Sequence, residues 1–380
     1  MKIARIKAFP VSFPVPADKS VTLGIGRCVK RDAVLIQVTT DDGLVGWGEA
    51  HHGRCPGAIA RLIDTTLSEL VVGLEATDVV GVWNKVYRMQ LASHGMGAAA
   101  AMALSGLDMA LWDIRCKVSG LALCEMLGGM PRPIKAYAGG IALGWQPPQS
   151  LAQEALSHIA TGYRALKLRV GDTPARDIAR VQAVRLAVGE DIEILVDANT
   201  SYTLEQARRV VRAFDECGVA WLEEPFPAHD RHAYRTLASV SAVPLAAGEN
   251  HFTRFEFDTL LEDRCVGYVQ PDLSKTGGIT ETMRIAAMAS ALKISVNPHT
   301  SLTALNMTAS IHLLCAVDNP GYFEGDVTSL NPLRDHLGSV APYVLDENGC
   351  VSPPPGVGYG IEVDVDFVNR HPLIEGPCYV

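Results

Sequence analysis

Seven polar residues recur along this chain at gaps of 30, 26, 26, 23, 27 and 25 residues: Lys167, Asp197, Glu223, Glu249, Asp272, His299 and Glu324. Together they offer one amine, five carboxyls and one imidazole. Asp197, Glu223 and Glu249 suit a hard divalent cation such as Mg²⁺, which takes oxygen ligands and keeps positions open for substrate oxygens. Without a cation, three crowded carboxylates repel and some must hold a proton. A lysine and a histidine beside them point to proton transfer. A carboxylate on Nδ1 of His299 fixes its tautomer and leaves Nε2 for substrate, and Asp272 is placed to supply it.

These residues are far apart in sequence, so a repeating element must bring them together. The period is about one strand, one helix and two loops. A (β/α)₈ barrel of roughly 250 residues divides into units of this length, and its strand ends share one mouth. Each acid follows a short apolar run: Leu195-Val-Asp, Trp221-Leu-Glu and Ala246-Ala-Gly-Glu. A single acid at a strand end is commonly a helix cap or a solvated loop residue; three at one spacing, each after a buried strand, argue for a site. Lys167 and Arg169 stand two apart in Ala165-Leu-Lys-Leu-Arg. On a strand they point the same way, into the mouth. His299 is one of 11 histidines and is singled out only by its place in the period.

Further elements follow from the pattern. Residues 1–50 read as a three-stranded meander, with Asp41-Asp-Gly as a hairpin turn. Helical periodicity dominates from about 57 to 128, ending at Gly128-Gly129. From Ile134 short apolar strands alternate with amphipathic helices such as 174–188 and 204–217, in seven or eight units. Such alternation predicts parallel strands with helical crossovers. The expected organisation is an α+β unit over 1–130, a barrel over 131–340, and a C-terminal segment over 341–380 that packs back on the first unit. A net charge of −9 argues against nucleic-acid or anionic-membrane partners, which recruit excess Lys and Arg. Nine scattered cysteines without a CxxC pair read as reduced thiols of a cytoplasmic enzyme. The N-terminus lacks the continuous apolar run of a secretory signal.

Jointly the motifs resemble the enolase superfamily, and within it the mandelate racemase subgroup (the mandelate racemase/muconate lactonizing enzyme family). The resemblance spans essentially the whole chain. It rests on Ala103-Leu-Ser-Gly-Leu-Asp-Met-Ala-Leu-Trp-Asp-Ile, Ala165-Leu-Lys-Leu-Arg-Val-Gly, Val196-Asp-Ala-Asn, Trp221-Leu-Glu-Glu-Pro, Ala247-Gly-Glu-Asn, Gln270-Pro-Asp-Leu-Ser-Lys-Thr-Gly-Gly-Ile-Thr and Pro298-His. It implies an α/β fold, a modified TIM barrel (β/α)₇β with an N-terminal α+β capping domain, and a homo-oligomer. It also implies that Asp197, Glu223 and Glu249 hold Mg²⁺, which binds a substrate carboxylate and stabilises the enediolate formed when the α-proton leaves. Lys167 and a protonated Glu324 then contact that carboxylate, Asn199 bonds the α-hydroxyl, and His299, oriented by Asp272, moves the proton.

One position departs from the family. Its racemase pattern is Lys-x-Lys, and the second lysine is here Arg169, a poor base. The expected activity is therefore dehydration of a sugar acid or related hydroxy acid to a 2-keto acid on one base. The alternatives are a 2-hydroxy-acid racemase or epimerase, an acid-lactone cycloisomerase, or a silent barrel kept for binding. Substrate choice is expected in the capping loops, residues 17–30 and 50–57, which carry Arg27, Lys30, His51, His52 and Arg54. A polar carboxylic acid fits them better than an aryl one.

Overall fold

The computed structural model describes residues 1–300 and 302–380. The N-terminal region opens with an antiparallel sheet in the order β1 (Ile3–Pro14), β2 (Lys30–Thr40), β3 (Val45–Ala50). The long helix α1 (Ala98–Ser119) lies on one face of it. Gly48 lets the two approach so closely, because any Cβ there would strike the Gly106 carbonyl of the helix. The segment before α1, where helical periodicity dominates, is a series of short helices. Pro56–Leu62, Ser68–Val71 and Val79–Val86 are separated or extended by π-helical turns at Ile63–Leu67 and Tyr87–Leu91. Gly73, at φ +87°, turns the chain after the second of them.

Eight parallel strands then form the barrel. They are β4 (Ile134–Gly139), β5 (Ala165–Arg169), β6 (Glu193–Asp197), β7 (Val219–Glu223), β8 (Leu245–Ala247), β9 (Tyr268–Val269), β10 (Ser295–Val296) and β11 (Phe323–Asp326). Strand β11 pairs with β4, and Val296 bridges to Pro320 just before β11, which closes the ring. A helix follows each of the first seven strands: α2 (Pro148–Ala160), α3 (Pro174–Val188), α4 (Leu204–Glu216), α5 (Arg231–Ala238), α6 (Thr253–Glu262), α7 (Gly278–Ala291) and α8 (Ala304–Ala316). The architecture is a (β/α)₇β barrel with an α+β cap. None of the described helices is long and apolar enough to cross a membrane.

Strand alternation builds two cores. Leu166, Leu168, Ile194, Val196 and Leu222 point outward into the large cluster beneath the helices. Tyr137, Ala165, Leu195, Trp221 and Ala246 point inward and fill the barrel floor. The next inward positions up the strands are Lys167, Asp197 and Glu223, all buried. The final residues reach toward the cap. Val29 N–H donates to the Cys378 carbonyl at 2.9 Å, and Arg27 and Val380 exchange two backbone hydrogen bonds. Cys350–Val351 pairs instead with the barrel strand β4.

Candidate active site

Lys167 is the centre of the inner site. Its Nζ lies 2.8 Å from both Glu223 Oε1 and Glu324 Oε1, and 3.7 Å from Asp197 Oδ2. Burial would pull the ammonium down, but the Glu223 and Glu324 carboxylates outweigh it and hold its pKa well above the ordinary lysine value. The same pairing corrects one expectation. Burial would raise the Glu324 carboxyl, yet Lys167, His299 and Arg169 hold it down to about 2. Glu324 is thus ionised, and it accepts from the backbone N–H groups of Gly140 and Thr300.

The three acids of β6, β7 and the turn after β8 converge. Asp197, Glu223 and Glu249 each offer a carboxylate oxygen, and these atoms all lie within 4.8 Å of one another. A hard divalent cation fits this all-oxygen donor set. Burial pushes Glu223 up to about 8 despite Lys167, with Asp197, Glu324 and Glu249 adding to the rise. Gln270 Nε2 and Trp221 Nε1 donate to its Oε2 at 2.6 and 3.2 Å. Arg169 donates to Asp197 and to the Gly140 carbonyl. Glu249 follows Gly248, whose φ is +152°; a Cβ there would sit 2.6 Å from the Gln270 backbone nitrogen. The turn that aims Glu249 therefore needs glycine.

On the facing wall, His299 Nδ1 lies 2.7 Å from Asp272 Oδ2 and its Nε2 lies 3.1 Å from Glu249 Oε2. Ser274 donates twice to the other Asp272 oxygen at 2.7 Å, and Asn306 Nδ2 donates at 3.1 Å. These bonds lock the carboxylate, which in turn locks the ring. Burial disfavours the imidazolium, but Glu249 and Asp272 outweigh burial and Lys275, so the pKa is raised above the ordinary histidine value.

Above these groups opens a cavity of about 390 Å³, within the range of small-molecule sites. Arg169, Asn199, Glu249 and His299 line it from the barrel, and His51 and Arg54 from the cap. Arg27 and Lys30 do not line it. Arg27 is exposed on the small hairpin Thr22–Arg27, whose Leu23 and Ile25 turn inward instead. Lys30 is drawn to Asp32 at 3.1 Å. Four lining residues, Glu224, Asn250, Lys275 and Tyr379, carried no signal in the period, because they lie off it.

Known proteins share this architecture. Residues 5–128 match the mandelate racemase/muconate lactonizing enzyme N-terminal domain, and residues 150–367 match the enolase C-terminal domain-like family. The chain belongs to the mandelate racemase/muconate lactonizing enzyme family of the enolase superfamily. It is 32% identical to an arabinonate dehydratase of Saccharolobus solfataricus, over 87% of this chain and 88% of that protein. It is 31% identical to a D-galactonate dehydratase of Xanthomonas euvesicatoria pv. vesicatoria, over 89% and 90%. Among solved structures, an enolase-superfamily member from Polaromonas sp. JS666 matches at 53% identity and TM-score 0.97, covering 100% of both chains. A racemase from Streptomyces coelicolor A3(2) with bound magnesium matches at 26% identity and TM-score 0.88, covering 98% and 100%.

Proposed function

We propose that this chain is a Mg²⁺-dependent hydro-lyase that converts a sugar acid or related hydroxy acid to a 2-keto acid. One observation carries the reading: the His299 imidazole, fixed by Asp272, stands beside the three-carboxylate set, its Nε2 3.1 Å from Glu249 Oε2. The dehydratase names of the curated relatives support the same class. Asp197, Glu223 and Glu249 would hold the cation, in keeping with the magnesium of the Streptomyces relative. When bound, the cation supplies Lewis acidity at the substrate carboxylate.

The chain's own groups do the rest. His299 Nε2 takes the α-proton. The Lys167 ammonium stabilises the negative charge that grows on the carboxylate oxygens as the proton leaves. Asn199 Oδ1 is buried without a hydrogen-bond partner among the described residues, and so is available to the α-hydroxyl. The β C–O bond then breaks, and His299 returns its proton to the departing hydroxyl as water. The enol that remains tautomerises to the 2-keto acid.

A relative named as a racemase makes epimerisation the second reading. That reaction needs a second proton donor and acceptor, and Arg169 holds the position of the second lysine in the family's Lys-x-Lys pattern. Burial lowers its pKa, but Asp197 and Glu324 raise it further, so the guanidinium stays charged. Acid-lactone cycloisomerisation would use the same single base. The nine cysteines include no disulfide among the described residues, which suits a cytoplasmic enzyme. The first family match, ending at residue 128, supports a boundary near 130, and we retain the division 1–130, 131–340 and 341–380. A homo-oligomer is kept as the family's implication.

The test is a panel of sugar acids with the Mg²⁺-loaded protein in D₂O. Dehydration yields 2-keto acid. Epimerisation exchanges the α-proton and changes optical rotation without keto acid. Absence of keto acid from every member would end the dehydratase reading.

A further inference from the structure

The cations of the inner site are all paired: Lys167 with Glu223 and Glu324, and Arg169 with Asp197. Two further cations line the cavity, and neither makes a hydrogen-bonded ion pair among the described residues: Lys275 has only a long contact with Glu249, and Arg54 has none. Lys275 is 4% exposed, and the nearest carboxylate oxygen, on Glu249, lies 3.7 Å away, beyond hydrogen-bond reach. Arg54 makes no ion pair among the described residues and lies 5.6 Å from the centre of the Tyr379 ring.

Both are held by the seam between cap and barrel. The His51 N–H donates to the Ser274 carbonyl at 2.9 Å, which ties the cap turn to the loop bearing Lys275. In that turn Gly53 and Arg54 are both left-handed, at φ +54° and +60°. Their N–H groups donate to Nδ1 of His51 and His52 at 3.1 and 2.9 Å. The two imidazoles stack at 4.2 Å. A non-glycine residue at positive φ is strained, and such strain persists where the surroundings impose it. Here it fixes where Arg54 stands.

The four seam groups that form this wall are one-sided in their chemistry, while Glu224 and Asn250 line the same cavity from the barrel. Because each Nδ1 accepts, each Nε2 carries the hydrogen. Burial, with the neighbouring cations Lys275 and Arg54, keeps both rings neutral. The wall therefore presents an ammonium, a guanidinium and imidazole N–H donors. A sugar hydroxyl has a hydrogen of its own to place, and these groups offer nothing to receive it. A carboxylate or phosphate only accepts, neutralises the buried Lys275 ammonium, and matches the planar fork of the exposed Arg54 guanidinium with two parallel bonds.

We propose that the substrate carries a second anionic group at the end remote from the reacting carboxylate, bound by Arg54 and Lys275 at the cap–barrel seam. This rests on the reading of the inner site as the place where the first carboxylate reacts.

The experiment uses the Mg²⁺-loaded protein and matched six-carbon acids of each configuration. One series ends in CH₂OH, one in a second carboxylate and one in a phosphate ester. The expected result is a kcat/KM at least 100-fold higher for one of the dianionic series, and which series wins identifies the anion. Arg54→Gln should reduce that preference to within about threefold of unity, with the loss falling mainly on the dianionic series. Arg54→Lys should recover part of the preference. Equal turnover of the neutral-ended and dianionic series by the wild type overturns the proposal, as does an equal loss on all series in Arg54→Gln.

Calorimetry separates this from failure of the reaction itself. If no acid yields keto acid, tenfold tighter binding of the dianion, lost in Arg54→Gln, sustains the subsite while the dehydratase reading falls. Equal binding of mono- and dianion overturns the subsite.

Discussion

Asp272 Oδ2 lies 2.7 Å from Nδ1 of His299, although 27 residues of chain separate them. Both follow the ends of adjacent barrel strands, β9 and β10, so the parallel pairing of those strands makes the contact. The carboxylate is itself held by Ser274 and Asn306. Burial would raise it, but the hydrogen bond and charge of His299 keep it below the usual aspartate value. The imidazole is therefore oriented by an anion that cannot turn away.

His299→Asn removes the proposed base. Turnover should fall by roughly 10²–10⁴-fold, the range supplied by a positioned general base. Exchange of the substrate α-proton in D₂O should fall with it, while the melting temperature stays close to wild type. Near-normal exchange would remove His299 from the mechanism.

The pH dependence should report the same pair. Only the neutral imidazole accepts a proton, so kcat/KM should rise with pH through the His299 pKa. That pKa is raised above the ordinary value of about 6.5. Asp272→Asn removes one of the carboxylates that raise it. The acidic limb should move to lower pH in that variant, with a lower plateau. An unmoved limb would assign it to another group.

Metal removal should abolish turnover, and Mg²⁺ should restore it. Because the cation binds the folded chain, Mg²⁺ at a hundredfold above its Kd should add about 2.7 kcal/mol of stability. Glu249→Gln should weaken Mg²⁺ binding at least tenfold in calorimetry. Equal affinity in that variant would exclude Glu249 as a ligand.

Gly248→Ala tests the turn that aims Glu249. Its φ of +152° and the 2.6 Å approach of a Cβ to the Gln270 nitrogen leave no relaxed solution. The cost should be about 1–3 kcal/mol, read as a lower melting temperature. Mg²⁺ affinity should fall as well. A variant of wild-type stability and affinity would show that the turn tolerates a side chain.

Glu49, joined to Asp272 through Asn306, gives a stability signature. Burial pushes this cap carboxyl up to about 8, and the Thr303 hydrogen bond offsets only part of that. The folded state therefore binds the proton more tightly than the unfolded chain does. The contribution of Glu49 is fully present below pH 4.5 and is lost as pH rises to about 8. The melting temperature of Glu49→Gln relative to wild type should climb across that window and level off above it. A constant difference from pH 5 to 9 would contradict the shift.

Much of the barrel was legible in the sequence. The span Ala165–Arg169 is a strand as read, helix α3 runs Pro174–Val188 as read, and α4 ends at Glu216, one residue earlier than read. Long periodic elements carry their own signal. The cap was less legible. Its apolar helical pattern does not reveal where π-helical turns interrupt it: Ile63 and Leu67 stay buried in the first, while Tyr87–Leu91 buries no residue. Lys275 reads as one polar residue in a turn until the His51–Ser274 hydrogen bond closes the cap over it. Tyr379 had no local signal, because its place depends on where the tail finds the cap.

The sequence by itself determined the ladder. Strand alternation and the length of a strand–helix unit are covalent and local, and they suffice to put Lys167, Asp197, Glu223, Glu249, Asp272, His299 and Glu324 at one end of a barrel. Only the tertiary structure decided their charges and partners. Glu324 ionises because Lys167 lies 2.8 Å away, and Arg169 is bound to Asp197 and Gly140 rather than free to act as a base. Lys275 and Arg54 are left facing the cavity. Protonation and pairing follow from through-space distance and lost solvation, and neither is set by neighbours along the chain.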